Sequence, residues 1–489
     1  MISWGISANS HDAALAVFVD DHLTFASHSE RFSGLKNDSD LNKALLDYAS
    51  YHWGSPDRIY WYERPFLKTL RQLVAGQGWQ NQNNNIDIYM ARYGIDVPIN
   101  YTGHHHSHAA AGYYTSKFEE AAVLVIDAIG EFETITMWKG SGSKLKKVHA
   151  EHYPTSLGLW YSAMTQRIGL KPNEEEYILM GMAAYGNPNK FYQKIRNDFL
   201  YSGDDYSIAF TKNLHKGCLD WAPEITKEDY FDIAAAVQLI YEECFLRLLK
   251  DTSSRINSDN LVFMGGCALN CKANDLAFRY FKNVWIMPNP GDAGSAIGAV
   301  LAQKKWRLDF DPFIGYDMGY RSTNEQIVEH LVEQQICGVA RGRAEFGPRA
   351  LGNRSLLADP RGQDIKDCVN AIKQRQAFRP FAPIILEELA MEYFDMPTER
   401  SPYMQFTAKC KQPELFPAIV HADGTSRVQT VGTGKEDCPK IRQLLELWYA
   451  RTGCPMLLNT SLNIKGKPMV NNHADSKNFE QKYGVKVFN

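Results

Sequence analysis

The chain has 489 residues, 22% charged and 44% hydrophobic, and a formal net charge of −3. That length exceeds one compact core and calls for at least two domains, and the near-neutral charge excludes bulk electrostatic attraction to nucleic acid or an anionic membrane. No apolar run reaches bilayer-spanning length, the start MISWGISANSHDAALAVFVDD alternates and carries acids unlike a signal peptide, and nine scattered cysteines read as reduced thiols. The expected setting is the cytoplasm.

In chain order, residues 2–7 and 15–19 are expected strands joined by the polar turn 8–12, with a third strand at 22–27. His11 and Asp12 fall in that turn, where a turn role and a functional role both fit. Strand, polar turn, strand is also how the actin and sugar-kinase superfamily begins. Residues 41–53 carry a helical pattern, 58–63 a strand pattern, and the Asn/Gln-rich stretch 77–85 reads as a surface loop.

The stretch 101–133, YTGHHHSHAAAGYYTSKFEEAAVLVIDAIGEFE, carries the strongest chemical signal. His104 and His108 are four apart at the head of an Ala-rich run, so a helix there sends both imidazoles off one face. Then comes the apolar strand 123–127, ending on Asp127. A buried strand has little reason to end on an unpaired acid. Two histidines and an aspartate on adjacent elements suit Fe(II), Mn(II) or Zn(II) with coordination positions open for chemistry. The alternative is a helix-capping His run with Asp127 as a turn residue.

Residues 132–139 and 144–152 follow as strands and 156–168 as an amphipathic helix. Residues 173–186 form an acidic loop feeding a small-residue turn, which suits either a ligand or close helix packing. A long helix spans 227–255. A strand at 261–264 then runs into Gly265, Gly266 and an expected helix through Asn270, an arrangement that offers N–H groups to phosphate. After a further strand at 284–287, Asp292 precedes a helix of small residues, where an N-cap is the first reading. Cys267 and Cys271 have no second pair to complete a metal site and read as core.

The pattern lapses around 306–322, and the expected domains are 1–320 and 321–489. Residues 342–355, GRAEFGPRALGNRS, concentrate Arg343, Arg349 and Arg354 among three glycines, and Lys373, Arg375 and Arg379 add three more cations. Fixed cations among glycines suit a multiply charged anion, because arginine offers forked donors and glycine lets the backbone approach. A solvated basic face would not need the glycines. The segments around His421 to Arg427 and Asn459 to Ser461 add polar loops suited to a nucleotide and a small amide-bearing group.

The ordered blocks HHHSHAAAGYY, VLVIDAIGEF, MGMAAYG, GGCALN, GDAGSAIGA, GRAEFGPRALGNRSLLADPR, FRPFAP, HADGTSRVQTV and LLNTSLN resemble the O-carbamoyltransferase family of nodulation, cephamycin and aminoglycoside-antibiotic carbamoyltransferases, over nearly the whole chain. The resemblance implies a mixed α/β protein with an N-terminal, duplicated actin-like or sugar-kinase-like domain, similar to tRNA threonylcarbamoyl-transferase, and a C-terminal YrdC-like α/β domain. It implies a metal held by His104, His108, Asp127 and Asp292, with His11 and Asp12 lining the acceptor site and serving catalysis together with His104, His108 and Asp127. It implies nucleotide binding by Gly265, Gly266, Asn270, Arg349, Arg354, Arg375, Asn459 and Ser461. Carbamoyl phosphate would be gripped by Arg343, Lys373, Arg379, His421 and Arg427. The implied reaction joins carbamoyl phosphate and ATP into carbamoyl adenylate, then transfers the carbamoyl group to a hydroxyl of a small molecule, using Fe2+ or another divalent metal and Mg2+. The partners expected are that acceptor, ATP and carbamoyl phosphate, with a homodimer left open.

Three departures from the family pattern stand out. The usual Glu-Gly-Lys before the MGLAAYG-like turn is replaced at Glu175 to Ile178, the usual GEP is Gly466-Lys467-Pro468, and the chain stops soon after Val470 where longer members continue. Rival readings are a tRNA threonylcarbamoyl-type modifying enzyme, disfavoured by the fusion of both domains, and a non-catalytic metal- or nucleotide-binding regulator, disfavoured by the intact ligand positions. Hydrogenase-maturation carbamoyl enzymes carry zinc-finger cysteine pairs that this sequence lacks.

Overall fold

The computed structural model describes residues 1–201, 209–362, 364–434 and 437–489. The chain forms two compact units, one of residues 1–29 and 38–309, the other of residues 30–37 and 310–489. The division falls at 309/310, ahead of the 320/321 boundary read from composition. The short segment 30–37 sorts with the second unit, which no local pattern announces.

The first unit holds two five-stranded mixed sheets. One consists of β1 (Ile2–Ser7), β2 (Ala14–Val19), β3 (His22–His28), β4 (Arg58–Trp61) and β5 (Ile99–Tyr101), in the order β3-β2-β1-β4-β5. β1, β2 and β3 pair antiparallel, and β4 and β5 join β1 in parallel. The other consists of β6 (Glu120–Gly130), β7 (Glu133–Ser141), β8 (Lys144–His152), β9 (Asn260–Met264) and β10 (Asn283–Trp285). Its order β10-β9-β6-β7-β8 and its antiparallel and parallel pairings repeat the first sheet's connectivity. Strands covered on both faces carry near-continuous buried runs, as in β1 and the Ala121–Ile126 stretch of β6. The edge strand β8, KLKKVHAEH, presents lysines to solvent, which discourages further pairing.

The parallel β6–β9 ladder ends at Val125 opposite Met264, and the antiparallel β6–β7 pairing breaks after Ile126 and resumes only at Gly130. Asp127 therefore sits at a break inside a longer strand and not at a strand end. Gly265 follows β9 at the same edge with a φ of +90°, and a Cβ there would lie 2.2 Å from the Ile126 carbonyl oxygen. Carboxyl ends of parallel strands are where open α/β sheets place ligands.

The buried helix His104–Thr115 lies over this sheet, with Gly112 against Val262 and Met264. It crosses the helix Ser295–Lys304 so closely that a Cβ on Gly298 would sit 1.9 Å from the Ser107 carbonyl oxygen. That crossing brings the end of the segment 288–292 beside His108.

Several local expectations change. Residues 176–182 form a helix followed by a 3-10 turn at Ala183–Tyr185, and a Cβ on Gly186 would lie 1.9 Å from the Phe231 carbonyl, so Gly186 serves close packing, whereas a Cβ on Gly181 would meet nothing within 4 Å. The Gly265-Gly266 turn opens only a single 3-10 turn, Gly266–Leu269, and not an α-helix. Asp292 caps no helix with its side chain. The helices Pro65–Val74 and Ile86–Ala91 flank the Asn/Gln-rich loop without having been expected.

The second unit has a six-stranded mixed sheet in the spatial order Gln429–Val431, Ala382–Leu386, Met456–Ser461, Arg354–Ala358, Ile336–Ala340, Val487–Phe488, and a three-stranded sheet of Phe394–Asp395, Thr407–Cys410 and Thr425–Arg427. Its core gathers Leu356, Leu457, Ile385, Leu444 and Trp448. Among the described residues, no helix is long and apolar enough to cross a membrane.

Gly298→Ala is expected to destabilise the first unit by about 1–3 kcal/mol, the usual cost of forcing a methyl into a filled contact. Chemical denaturation measures it; an unchanged midpoint would show that the two helices can part freely.

Candidate functional site

One helix, a break inside a strand and the turn before a second helix converge on four side chains. His104 and His108 leave the same face of the helix His104–Thr115, Asp127 comes from the break in β6, and Asp292 from the turn before Ser295–Lys304. One donor atom from each lies within 4.8 Å of the other three. The two Nε2 atoms are 3.1 Å apart, His104 Nε2 is 3.2 Å from Asp127 Oδ2 and 3.4 Å from Asp292 Oδ1, and His108 Nε2 is 3.3 Å from Asp292 Oδ1.

The surroundings orient these atoms. His108 Nδ1 lies 3.1 Å from the Pro290 carbonyl oxygen, so that nitrogen carries the proton and Nε2 presents its lone pair. Asp127 Oδ1 accepts from the Gly266 N–H at 3.0 Å, which leaves Oδ2 to face the histidines. Behind His104, Glu63 Oε2 stands 3.9 Å from Nδ1 while its Oε1 accepts from Lys68 Nζ at 2.6 Å. Burial opposes charge on His104, yet Asp292 and then Asp127 and Glu63 raise its pKa well above the usual imidazole value. Burial likewise opposes ionisation of Asp127 and Asp292, but the histidines prevail, lowering Asp127 to about 2 and Asp292 well below the carboxylate range.

This donor set fits a divalent ion. Bonds of roughly 2.1 Å place tetrahedral donors about 3.4 Å apart and octahedral neighbours about 3.0 Å apart, close to the spacings of 3.1 to 3.4 Å given above, with His108 Nε2 and Asp127 Oδ2 wider at 3.8 Å. Two carboxylates and two neutral imidazoles match Fe(II), Mn(II) or Zn(II) better than an all-oxygen ion. Asp292 is thus a member of the cluster, not the N-cap first read. The other histidines of the run are occupied elsewhere. His105 faces Thr136 Oγ1 at 3.0 Å, and His106 stacks on Trp138.

His11 Nε2 lies 2.8 Å from the Asn173 carbonyl oxygen. Burial would lower its pKa, but Asp12 first and then Asp292 raise it, which puts the ring within electrostatic reach of the cluster. Asp12, at a left-handed φ of +52°, faces His28 Nδ1 at 2.9 Å, and His28 Nε2 faces Asn289 Nδ2 at 2.9 Å.

The phosphate cradle read at Gly265, Gly266 and Asn270 is not what these groups build. Gly265 donates its N–H to the Pro290 carbonyl and Gly266 to Asp127, while the Asn270 amide exchanges hydrogen bonds with Gln238. The glycines shape the four-residue cluster instead, because β9 ends directly beside β6.

In the second unit, Arg354 is fully buried, and its guanidinium donates to the carbonyls of Arg341, Gly342, Asn353, Tyr316 and Asn471. Burial pushes it down to about 10. It organises the arginine-rich loop and has no forked face left for phosphate. Buried Lys373 donates to the Ser461 carbonyl and to Asn463 Oδ1 at 2.9 Å; burial, then Arg375 and Arg379, lower its pKa well below the usual lysine value. Lys373, Arg375, Arg379 and Ser461 therefore share one neighbourhood. Arg375 lies over the Phe381 ring at 4.1 Å and donates Nε to Asn370 Oδ1 at 2.7 Å. Asn459 is buried on the strand Met456–Ser461 and donates to Ala350 and Gln429. Arg343 donates to the Ile314 carbonyl at 2.8 Å, Arg349 and Arg379 are half-buried, His421 closes a turn with Thr425, and Arg427 pairs opposite Thr407. Glu63 and Lys68 were missed in the sequence, although Glu63 closes an apolar strand in the same way that drew notice to Asp127.

Residues 61–301 match the family model "Carbamoyltransferase N-terminus" and residues 328–488 match "Carbamoyltransferase C-terminus". An uncharacterized protein of Synechocystis is 33% identical over 95% of this chain and 92% of its own length. The nodulation protein NolNO of Sinorhizobium fredii is 30% identical over 95% of this chain and 76% of its own. Among solved structures, full-length HypF in its phosphate- and nucleotide-bound form overlaps 62% of this chain and 46% of its own at 12% identity and a TM-score of 0.35.

In protein stripped of ions, the depressed Asp127 carboxyl contributes stability that is complete above its ordinary value of 3.8 and is lost as pH falls through about 2. Urea midpoints followed from pH 5 downward are expected to drop over that window and to drop less steeply in Asp127→Asn. Equal slopes in both proteins would contradict the assigned ion pairing.

Proposed function

The chain belongs to the carbamoyltransferase family, and from that premise we propose that it is an ATP-dependent O-carbamoyltransferase acting on a small-molecule hydroxyl. The observation that supports the reading best is the convergence of His104, His108, Asp127 and Asp292 in a chain that also carries the family's C-terminal region. We read the first unit as actin-like, in keeping with its repeated sheet connectivity, and the second as YrdC-like, and we place the protein in the cytoplasm.

In the proposed first step, water hydrolyses carbamoyl phosphate to carbamate and inorganic phosphate, and the carbamate oxygen then attacks the α-phosphorus of MgATP and expels pyrophosphate. Arg375, Arg379 and Arg343 offset the charge on the phosphoryl oxygens, while Lys373 holds Ser461 and Asn463 in place. The product, carbamoyl adenylate, is activated because AMP leaves far more readily than amide or hydroxide. In the second step, the acceptor oxygen attacks the carbamoyl carbon and AMP departs. His11 donates through Nε2 to the Asn173 carbonyl, so Nδ1 is the atom that takes the acceptor's proton. Asp12 lines the same turn. His104, His108, Asp127 and Asp292 would hold an Fe2+ or similar ion, which would supply Lewis acidity toward the acceptor hydroxyl and the carbonyl. Burial of these side chains keeps water from hydrolysing the adenylate.

Incubated with carbamoyl phosphate and ATP, the purified protein is expected to release AMP and pyrophosphate slowly without acceptor. His108→Ala should keep pyrophosphate release and lose carbamoyl transfer by at least a hundredfold, as followed by mass spectrometry over a panel of hydroxyl compounds. No pyrophosphate from the wild type would end the adenylate reading, and transfer retained in His108→Ala would remove the proposed role of the ion.

A further inference from the structure

The helix Pro65–Val74 is inside out. Phe66, Leu73 and Val74 are 60%, 48% and 67% exposed, whereas Lys68, Thr69 and Arg71 are buried. A surface helix normally turns its apolar stripe to the core, and reversing it forfeits transfer free energy on both faces. Something other than packing therefore selects what this helix points inward.

Two of the three buried polar side chains are satisfied within the unit. Thr69 accepts from Asn84 Nδ2 at 2.8 Å, and Lys68 donates to Glu63 Oε1 at 2.6 Å and to the Asn9 carbonyl at 2.7 Å. Arg71 is different. It is 9% exposed, its Nη1 donates to Gln77 Oε1 at 3.0 Å, its Nε is buried without an acceptor, and no carboxylate pairs with it among the described residues. The other end of the Gln77 amide lies 3.1 Å from His215 Nε2. An amide nitrogen only donates, so His215 Nε2 accepts and its proton sits on Nδ1, which is also buried without an acceptor. Burial first, and then Arg71, lower the pKa of His215 and keep the ring neutral.

One glutamine thus bridges two side chains, Arg71 through Nη1 and His215 through Nε2, each of which keeps another buried N–H, Arg71 Nε and His215 Nδ1, without an acceptor. A buried guanidinium left unpaired is costly, and the group that completes such a set is an anion with two or more acceptor oxygens. The location is equally informative. Lys68 and Arg71 are three apart on one helix face, and Lys68 holds the carboxylate whose other oxygen lies 3.9 Å from His104 Nδ1. Arg71 stands about 5 Å, one helical turn, further along that face.

We infer that Arg71, Gln77 and His215 form an anion subsite on the acceptor side of the His104 cluster, and that the hydroxyl acceptor carries a phosphate monoester or a carboxylate that docks there. This rests on the reading of the cluster as the place of transfer. The anionic group anchors the acceptor, and a hydroxyl a few bonds away reaches the cluster.

The test is calorimetric binding of glucose, glucose 6-phosphate and glucuronate to the full chain, as wild type and as Arg71→Gln and Arg71→Lys. Wild type is expected to bind at least one anionic sugar tenfold or more tighter than glucose, and the sugar preferred separates phosphate from carboxylate. Arg71→Gln should lose that preference and Arg71→Lys should keep part of it. A preference unchanged in Arg71→Gln, or absent from the wild type, overturns the subsite. Thermal unfolding provides the second readout. A Tm for Arg71→Gln at or above wild type fits a charge held for a ligand, while a clear fall would make Arg71 structural and overturn the proposal. Pyrophosphate release by the wild type is scored separately. Its absence counts against carbamoyl transfer and leaves the binding comparison standing, whereas normal release without anion preference counts against the subsite alone.

Discussion

Four electron-rich atoms crowded into a few ångströms are the constraint on which the first unit depends. With the Nε2 lone pair of His108 fixed by its Nδ1 bond to Pro290, and with Asp127 and Asp292 both ionised, the cluster repels itself unless a positive charge lies among its members. In ion-free protein the raised pKa of His104 supplies a proton for this role, and a divalent ion held there would take its place. The neighbouring backbone is arranged to hold the atoms close despite their repulsion. The ladder of β6 breaks to release Asp127, the Gly265-Gly266 turn places an N–H behind it, and the contact at Gly298 draws the Asp292 turn toward the histidine helix.

Much of this was legible in the sequence wherever a local pattern had one physical cause. The i, i+4 histidines on an Ala-rich helix and the acid interrupting the strand 123–127 are such patterns, and the structure brings these residues together. Asp292 was ambiguous because an acid before a small-residue helix is written the same way for a cap and for a ligand; only the neighbour across the helix crossing decides. The Gly-Gly turn misled for a related reason. Strand, glycine pair and short helix do expose N–H groups, but which acceptor they meet depends on the strand alongside, and here it is the one carrying Asp127. Glu63 went unread although its signal was present. The Pro65–Val74 helix has no legible role in sequence, since Phe66, Leu73 and Val74 read as core positions and lie in fact at the surface, while Leu67 and Leu70 are half-buried.

The second unit shows how a count of cations overstates a binding site. Arg354 and Lys373 look like phosphate ligands in sequence, but both are buried and spend their donors on carbonyl, hydroxyl and amide oxygens of nearby loops. Their direct work is to fix the glycine-rich loop 342–355 and the end of the strand Met456–Ser461. The half-buried Arg343, Arg349, Arg375 and Arg379 are left as the cations nearer to solvent.

Carbonyl oxygens satisfy a guanidinium or ammonium without cancelling its charge, and this distinguishes them from carboxylates. Among the described residues Lys373 makes no hydrogen bond to a carboxylate, so whatever charge it retains acts on its surroundings through a poorly screening interior, whereas at Arg354 the Glu345 carboxylate accepts from the backbone N–H at 3.3 Å and works against the effect of burial. Burial is the first cause of the lowered pKa of both, and at Lys373 the neighbouring Arg375 and Arg379 add to it. Arg71 in the first unit follows the same logic with a glutamine in place of the carbonyls. At Lys373 and Arg71 a positive charge held without a carboxylate hydrogen bond among the described residues costs stability, which a bound anion would offset.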